Sequence, residues 1–221
     1  GFKQTDEIIL QSFSDVRKLN YQSFLDYIKP NIFYDIIWAD SILIWFASMH
    51  AIPAIILNYF FNKRLYIIAN GWDVACVPKI KYGAMRIGSR KIIGRWILSR
   101  ATKVIADSKS NRNEILNNAK VHPNRIQLIY IAVSNDEFYS VQEKNNQVLT
   151  VGEINEETFF RKGIDRFINV AKKLPDVQFY HIGKWTDKSG NPCEKTIDYA
   201  KKNSPSNIQF LGYQNKKELL K

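Results

Sequence analysis

Short apolar runs alternate with longer helix-like segments along the whole of this 221-residue chain, and that alternation constrains the fold more than any other feature. Runs at residues 8–11, 33–38, 65–69, 103–106, 126–130, 148–151, 177–182 and 208–211 read as strands, with helices in the intervals. A β-α-β-α order places neighbouring strands in parallel, because the chain returns through a crossover helix before adding the next strand. The expected class is α/β, built from doubly wound parallel sheets of the Rossmann type. Such sheets bind ligands beyond the carboxyl ends of their strands. Several runs end there in small or polar residues, as at Ala69-Asn70-Gly71, Val151-Gly152 and Ile182-Gly183.

Residues 141–147, rich in Gln, Lys and Asn, separate the last strand of the first half from a fresh one and read as a linker. The expectation is an N-terminal Rossmann-like domain over residues 1–140 and the first part of a second over residues 148–221. The second holds only a few βα units and is expected to be incomplete in this chain. A composition of 45% hydrophobic and 24% charged residues supports a core in both and excludes a disordered chain. Cys76 and Cys193 lie far apart and in no metal-ligand spacing, which fits a reducing, cytoplasmic setting and implies neither a disulfide framework nor a zinc site.

Residues 41–62 carry no charge and form a run long enough to span a bilayer. Pro53, His50 and Asn58 within it, and strand-like flanks, favour a buried crossover helix with His50 packed in the core. The formal charge of +11 is concentrated: residues 79–125 hold twelve Lys and Arg against two acids, Asp107 and Glu114. Such a patch attracts anions without choosing among nucleic acid, anionic lipid and phosphorylated substrate. Within it, Arg86, Arg90, Lys91 and Arg95 lie offset from Ile93, Trp96 and Ile97, as on a basic amphipathic helix. That helix either packs its isoleucines on the sheet or also docks on an anionic membrane surface. No recognition motif with interleaved aromatics accompanies the patch, so nucleic acid is the weaker reading.

The most informative segment runs from Val151-Gly152-Glu153 to Arg161-Lys162-Gly163 and the amphipathic stretch after it. A strand ending in Gly152, a loop, and a Lys-Gly pair opening a helix would place a cation and free N–H groups where a phosphate can sit. His181, two residues before Gly183, either approaches that ligand or is a satisfied core histidine, and His122 before Pro123 reads as a turn residue.

With Gly71-Trp72-Asp73-Val74-Ala75, Ala106-Asp107-Ser108, residues 133–138, Arg161-Lys162-Gly163, His181-Ile182-Gly183 and Leu211-Gly212-Tyr213 in this order, the chain resembles the retaining glycosyltransferases of family 4. The resemblance covers most of the chain and implies the two-domain GT-B fold. It implies transfer of a sugar from a UDP or GDP donor to a glycan, lipid-phosphate or small-molecule acceptor, with no cofactor besides that donor. By position it makes Lys162, with Arg161, Gly163 and Gly152, the diphosphate site. Gly183, Gly212 and Tyr213 become the nucleoside pocket, and Asn70, Gly71 and Asp73 the facing loop, with Asp73 and Asn70 as catalytic candidates. The chain departs from the family at Glu153, where many members have arginine, at Asn70, where many have histidine, and at Ile131-Ala132 in place of Asn-Gly. The paired-glutamate segment of the family would lie beyond Lys221. No Asp-x-Asp pair occurs, so a cationic loop rather than a bound metal would hold the diphosphate.

Overall fold

The computed structural model describes residues 2–19, 30–131, 145–187, 189–215 and 218, and divides into two compact units, residues 1–134 and 135–221. Unit 1 contains helices α1 (Phe2–Gln11) and α2 (Pro30–Trp38), then β1 (Ser41–Trp45), α3 (Ile52–Phe61), β2 (Arg64–Ala69), α4 (Gly88–Arg100), β3 (Lys103–Ala106), α5 (Lys109–Glu114) and β4 (Ile126–Leu128). Its four described strands lie in the order β1-β2-β3-β4, every pair parallel, as in one half of a doubly wound sheet. Unit 2 contains β5 (Gln147–Val151), α6 (Glu156–Arg161), α7 (Ile164–Lys173), β6 (Gln178–Ile182), α8 (Glu194–Asn203) and β7 (Ile208–Gly212), with a parallel sheet in the order β5-β6-β7.

Two expected strands are helices. Residues 33–38 belong to α2, which opens on Pro30 and buries Ile32 and Ile36, four apart on one face. Proline suits the first helical turn because its missing N–H would have had no partner there. Residues 8–11 close α1, with Ile8 and Ile9 exposed. A short apolar run fits either element by pattern alone, and the length of the surrounding segment decides.

The uncharged run at residues 41–62 resolves into three pieces. Strand β1 pairs with β2 from Ser41↔Arg64 to Trp45↔Ile68, a 3₁₀ turn covers Met49–Ala51, and α3 follows with Asn62 as its left-handed cap. No described helix is long and apolar enough to cross a membrane. His50 lies in the 3₁₀ turn, its Nε2 2.7 Å from the Trp45 carbonyl and its Nδ1 2.7 Å from Ser48 Oγ. Residues 133–138 and 141–144 of the expected motif and linker lie outside the described residues, and Gln147 already opens β5.

Each unit has its own apolar core. In unit 1 Leu65, Ile67, Ile97, Leu98, Val104 and Ile115 are buried together; in unit 2 Ile154, Phe159, Ile164, Ile168 and Phe179 are. Each such side chain contributes roughly 1.5–3 kcal/mol by leaving water.

Candidate functional site

In unit 2 the carboxyl ends of all three strands are glycines or lead directly into them. Val151 pairs with Ile182, and Ile182 with Gly212, so Gly152, Gly183 and Gly212 end up side by side. Gly152 N–H donates to Ile182 O and Gly183 N–H to Gly212 O, both at 2.8 Å. The three form a floor without side chains. At Gly183 this is obligatory, since a Cβ there would stand 2.1 Å from the Gly152 carbonyl oxygen.

Lys162 reaches the Gly152 edge of this floor. Its Nζ donates to Glu153 O at 2.7 Å, and a Cβ on Gly152 would come within 2.7 Å of it. Partial burial, then the neighbouring Arg161 cation, lowers the Lys162 pKa, and Glu153 partly restores it. The local geometry differs from the expected strand–loop–helix: α6 intervenes, its start capped reciprocally by Asn155 and Thr158. Arg161 is the last residue of α6 and Lys162 its cap, while Gly163, at φ 70°, turns the chain into α7. The first turn of α7 already holds an acid, Asp165, one of whose carboxylate oxygens is buried without a hydrogen-bond partner among the described residues. Lys162, rather than the end of α7, is therefore the source of positive charge at the floor.

His181 lies beneath, fully buried, with Nε2 3.1 Å from Gly152 O and Nδ1 3.1 Å from the Trp185 indole nitrogen. Burial lowers its pKa; the Gly152 hydrogen bond opposes that and Lys162 adds to it. It is the satisfied core histidine of the two sequence readings. Beside the floor opens a cleft of about 310 Å³, walled by Trp185, Ile197, Lys201, Phe210 and Tyr213. Tyr213 is exposed, with Lys184 Nζ 4.9 Å from its ring centre. Glu153, in place of the family's arginine, accepts a hydrogen bond from Thr186 Oγ1 at 3.2 Å and so ties the β5 loop to the segment after β6.

In unit 1 the loop after β2 carries Asn70, Gly71, Trp72 and Asp73. Gly71 has φ 89°, a turn that favours glycine. Asp73 points inward: it is 3% exposed, Oδ2 accepts from Ala47 N–H at 2.9 Å, and Oδ1 accepts from Asn70 N–H at 3.1 Å. Burial raises its pKa, the N–H donors counter this, and Asp107 reinforces it. Asp73 thus joins the loop after β1 to the loop after β2, with both carboxylate oxygens accepting backbone N–H groups.

Sequence reasoning missed Asn111. Buried on α5, its amide, oriented to satisfy both ends, donates to Ala69 O at 3.1 Å and accepts from Gly71 N–H at 2.9 Å. The only local signal was the Ser108 cap, whose Oγ accepts from Asn111 N–H at 3.1 Å. Gly83 closes the same loop, because a Cβ there would stand 2.0 Å from Ala75 O.

Much of the basic segment serves the fold. Arg95 donates twice to Asn118 O, Lys103 to Asn124 O, and Arg125 to the carbonyls of Leu98, Ser99 and Ala101. Arg90 and Arg100 lie over Trp72 and Trp96. Arg95 therefore leaves the expected surface of Arg86, Arg90, Lys91 and Arg95 and faces its own unit.

No family model matches this sequence, and no curated protein matches it. Solved structures do match. Anabaena HepE in complex with UDP-glucose is 13% identical, with a TM-score of 0.61 over 96% of this chain and 59% of that one. A glycosyltransferase from Rickettsia africae is 14% identical, TM-score 0.59, over 98% of this chain and 59% of that one. Sucrose-phosphate synthase from Thermosynechococcus elongatus is 14% identical, TM-score 0.64, over 88% and 50%. The fold is the GT-B type that these glycosyltransferases share, and this chain spans about 60% of the HepE length.

Proposed function

We propose that this chain is part of a nucleotide-sugar-dependent glycosyltransferase in which unit 2 holds the donor diphosphate and unit 1 serves the acceptor side. The observation that carries the reading is the Lys162 ammonium held beside Gly152, at the edge of the floor that Gly152 makes with Gly183 and Gly212. A floor without side chains lets a diphosphate approach the backbone, and a fixed cation stabilises the charge that grows on it as the anomeric C–O bond breaks. The acceptor hydroxyl oxygen forms the new bond to the anomeric carbon, and its proton passes to the departing diphosphate. In this reading the reaction belongs to the retaining, metal-independent hexosyltransferases resembling family 4. Lys162, with Arg161, Gly163 and Gly152, meets the diphosphate; Gly183 and Tyr213 meet the nucleoside; Asn70 and Gly71 line the acceptor side, positioned by Asp73.

HepE is crystallised with UDP and with UDP-glucose, which makes UDP the first nucleotide to test. Calorimetric titration of UDP and GDP into the chain and into Lys162→Ala tests the proposal. Binding of one nucleotide, lost in the variant, is the expected result; equal binding by both proteins would remove Lys162 from the site. The rival reading, a polyanion-binding protein, is weakened by the tethering of Arg95, Lys103 and Arg125 to backbone carbonyls.

A further inference from the structure

We propose that His181 is a positioning residue for this anion site, holding the Gly152 carbonyl on the β6 side so that the adjoining Glu153 backbone faces Lys162; the assignment rests on the donor-site reading above. An indole nitrogen only donates, so His181 Nδ1 must accept from Trp185, and the proton must lie on Nε2. Nε2–H then donates to the Gly152 carbonyl. The tautomer is set by two neighbours, with no freedom left to the ring.

The consequence travels through backbone geometry. Gly152 N–H is tied to Ile182 O and Gly152 O to His181, so both polar groups of this residue face β6. Ile154 N–H also faces β6, donating to Lys184 O at 2.8 Å. Planarity of the intervening peptide and the alternation of an extended chain then turn the Glu153 N–H and carbonyl to the opposite side. That is the side on which Glu153 O meets Lys162 Nζ. Releasing the Gly152 carbonyl would free the Gly152–Glu153 peptide to rotate and so loosen, through the Glu153 Cα, the next peptide, whose carbonyl meets Lys162. Trp185 completes the chain of contacts. Its ring walls the cleft beside the floor, edge-on to His181 and Phe210. Two hydrogen bonds and the Gly152–Glu153 backbone therefore connect the cleft wall to the lysine loop through a buried His181.

The test uses the full chain with UDP as probe, in unaltered form and as Trp185→Phe, His181→Gln and His181→Leu, with thermal unfolding of each and ¹⁵N shifts of the His181 ring. The unaltered protein is expected to show the Nε2–H tautomer. Trp185→Phe keeps an aromatic wall but removes the indole donor; it is expected to mix the tautomers and weaken UDP about tenfold, the worth of one hydrogen bond. His181→Leu is expected to weaken UDP at least as much, and His181→Gln to recover part, since its amide can donate to Gly152 O. Should the leucine variant fail to fold, Trp185→Phe decides alone. Unchanged affinity in Trp185→Phe and His181→Gln, while the unaltered chain binds UDP, would overturn the assignment and leave the donor site standing. Absence of both UDP and GDP binding by the unaltered chain would overturn both.

Discussion

Asp73 and Ala47, separated by 26 positions in sequence, are joined by a 2.9 Å hydrogen bond from the Ala47 N–H to the buried Oδ2 of the aspartate. The other carboxylate oxygen takes the Asn70 N–H, so a single side chain fixes the loops after β1 and β2 relative to each other. Asp73→Ala leaves both N–H groups without this acceptor and is expected to cost about 2–4 kcal/mol in denaturant unfolding. Asp73→Asn, which keeps one acceptor oxygen, is expected to cost less. Equal stability of all three proteins would contradict the role given to this residue.

The glycine floor makes a contrast between two alanine variants. In Gly183→Ala the new Cβ meets the backbone of Gly152, which cannot withdraw, so unit 2 is expected to lose more than about 3 kcal/mol or fail to fold. In Gly152→Ala the nearest atoms belong to the flexible Lys162 side chain, so displacement of the lysine and loss of UDP affinity are expected to exceed the loss of stability. Far-ultraviolet melting curves beside calorimetry separate the two outcomes.

Lys162 supplies a pH signature. Because burial and Arg161 lower its pKa, the ammonium is lost at a lower pH than that of an ordinary lysine. UDP affinity is expected to fall on the alkaline side below pH 10.5, the ordinary lysine value. In Lys162→Arg, whose guanidinium stays charged, the decline is expected to vanish. An identical alkaline profile in both proteins would assign the titration elsewhere.

His181 gives the opposite limb. Its native pKa is lowered, so the unfolded chain binds this proton more readily than the folded one. The contribution to stability is present above the ordinary histidine value of 6.5 and is lost as pH falls through it toward the lowered native value. Melting temperature measured between pH 8 and pH 5, ordinary assay limits of about this range, is expected to fall less steeply for His181→Gln than for the unaltered protein.

The parallel α/β plan was legible because its strongest signals are local. Residues 65–69, 103–106, 148–151 and 208–211 are β-rich runs bounded by polar or glycine residues, and each lies in a strand. Strand β1 was not legible, because Ser41–Trp45 merges without a charged residue, glycine or proline into the stretch that becomes α3; pairing with β2 separates them. Lys162, Gly152 and Gly183 could be picked out from strand ends and glycines. The inward turn of Asp73 could not, since its partner Ala47 follows another strand, nor could the clasp of Asn111 on Gly71. Both depend on where separate crossovers return the chain.

The tethering of Arg95, Lys103 and Arg125 bears on how this protein can change over evolutionary time. Its pI of about 9.5 is partly a by-product of architecture, since these cations close the carbonyl ends of α4 and of the turns that pack beside it. Descendants can drift toward neutrality at exposed positions such as Arg86 more easily than at Arg125, whose loss removes the donor to the Ser99 and Ala101 carbonyls. Basicity here is partly inherited scaffolding, and a lineage selected for a different surface charge would shed it first at exposed positions and last at these tethered cations.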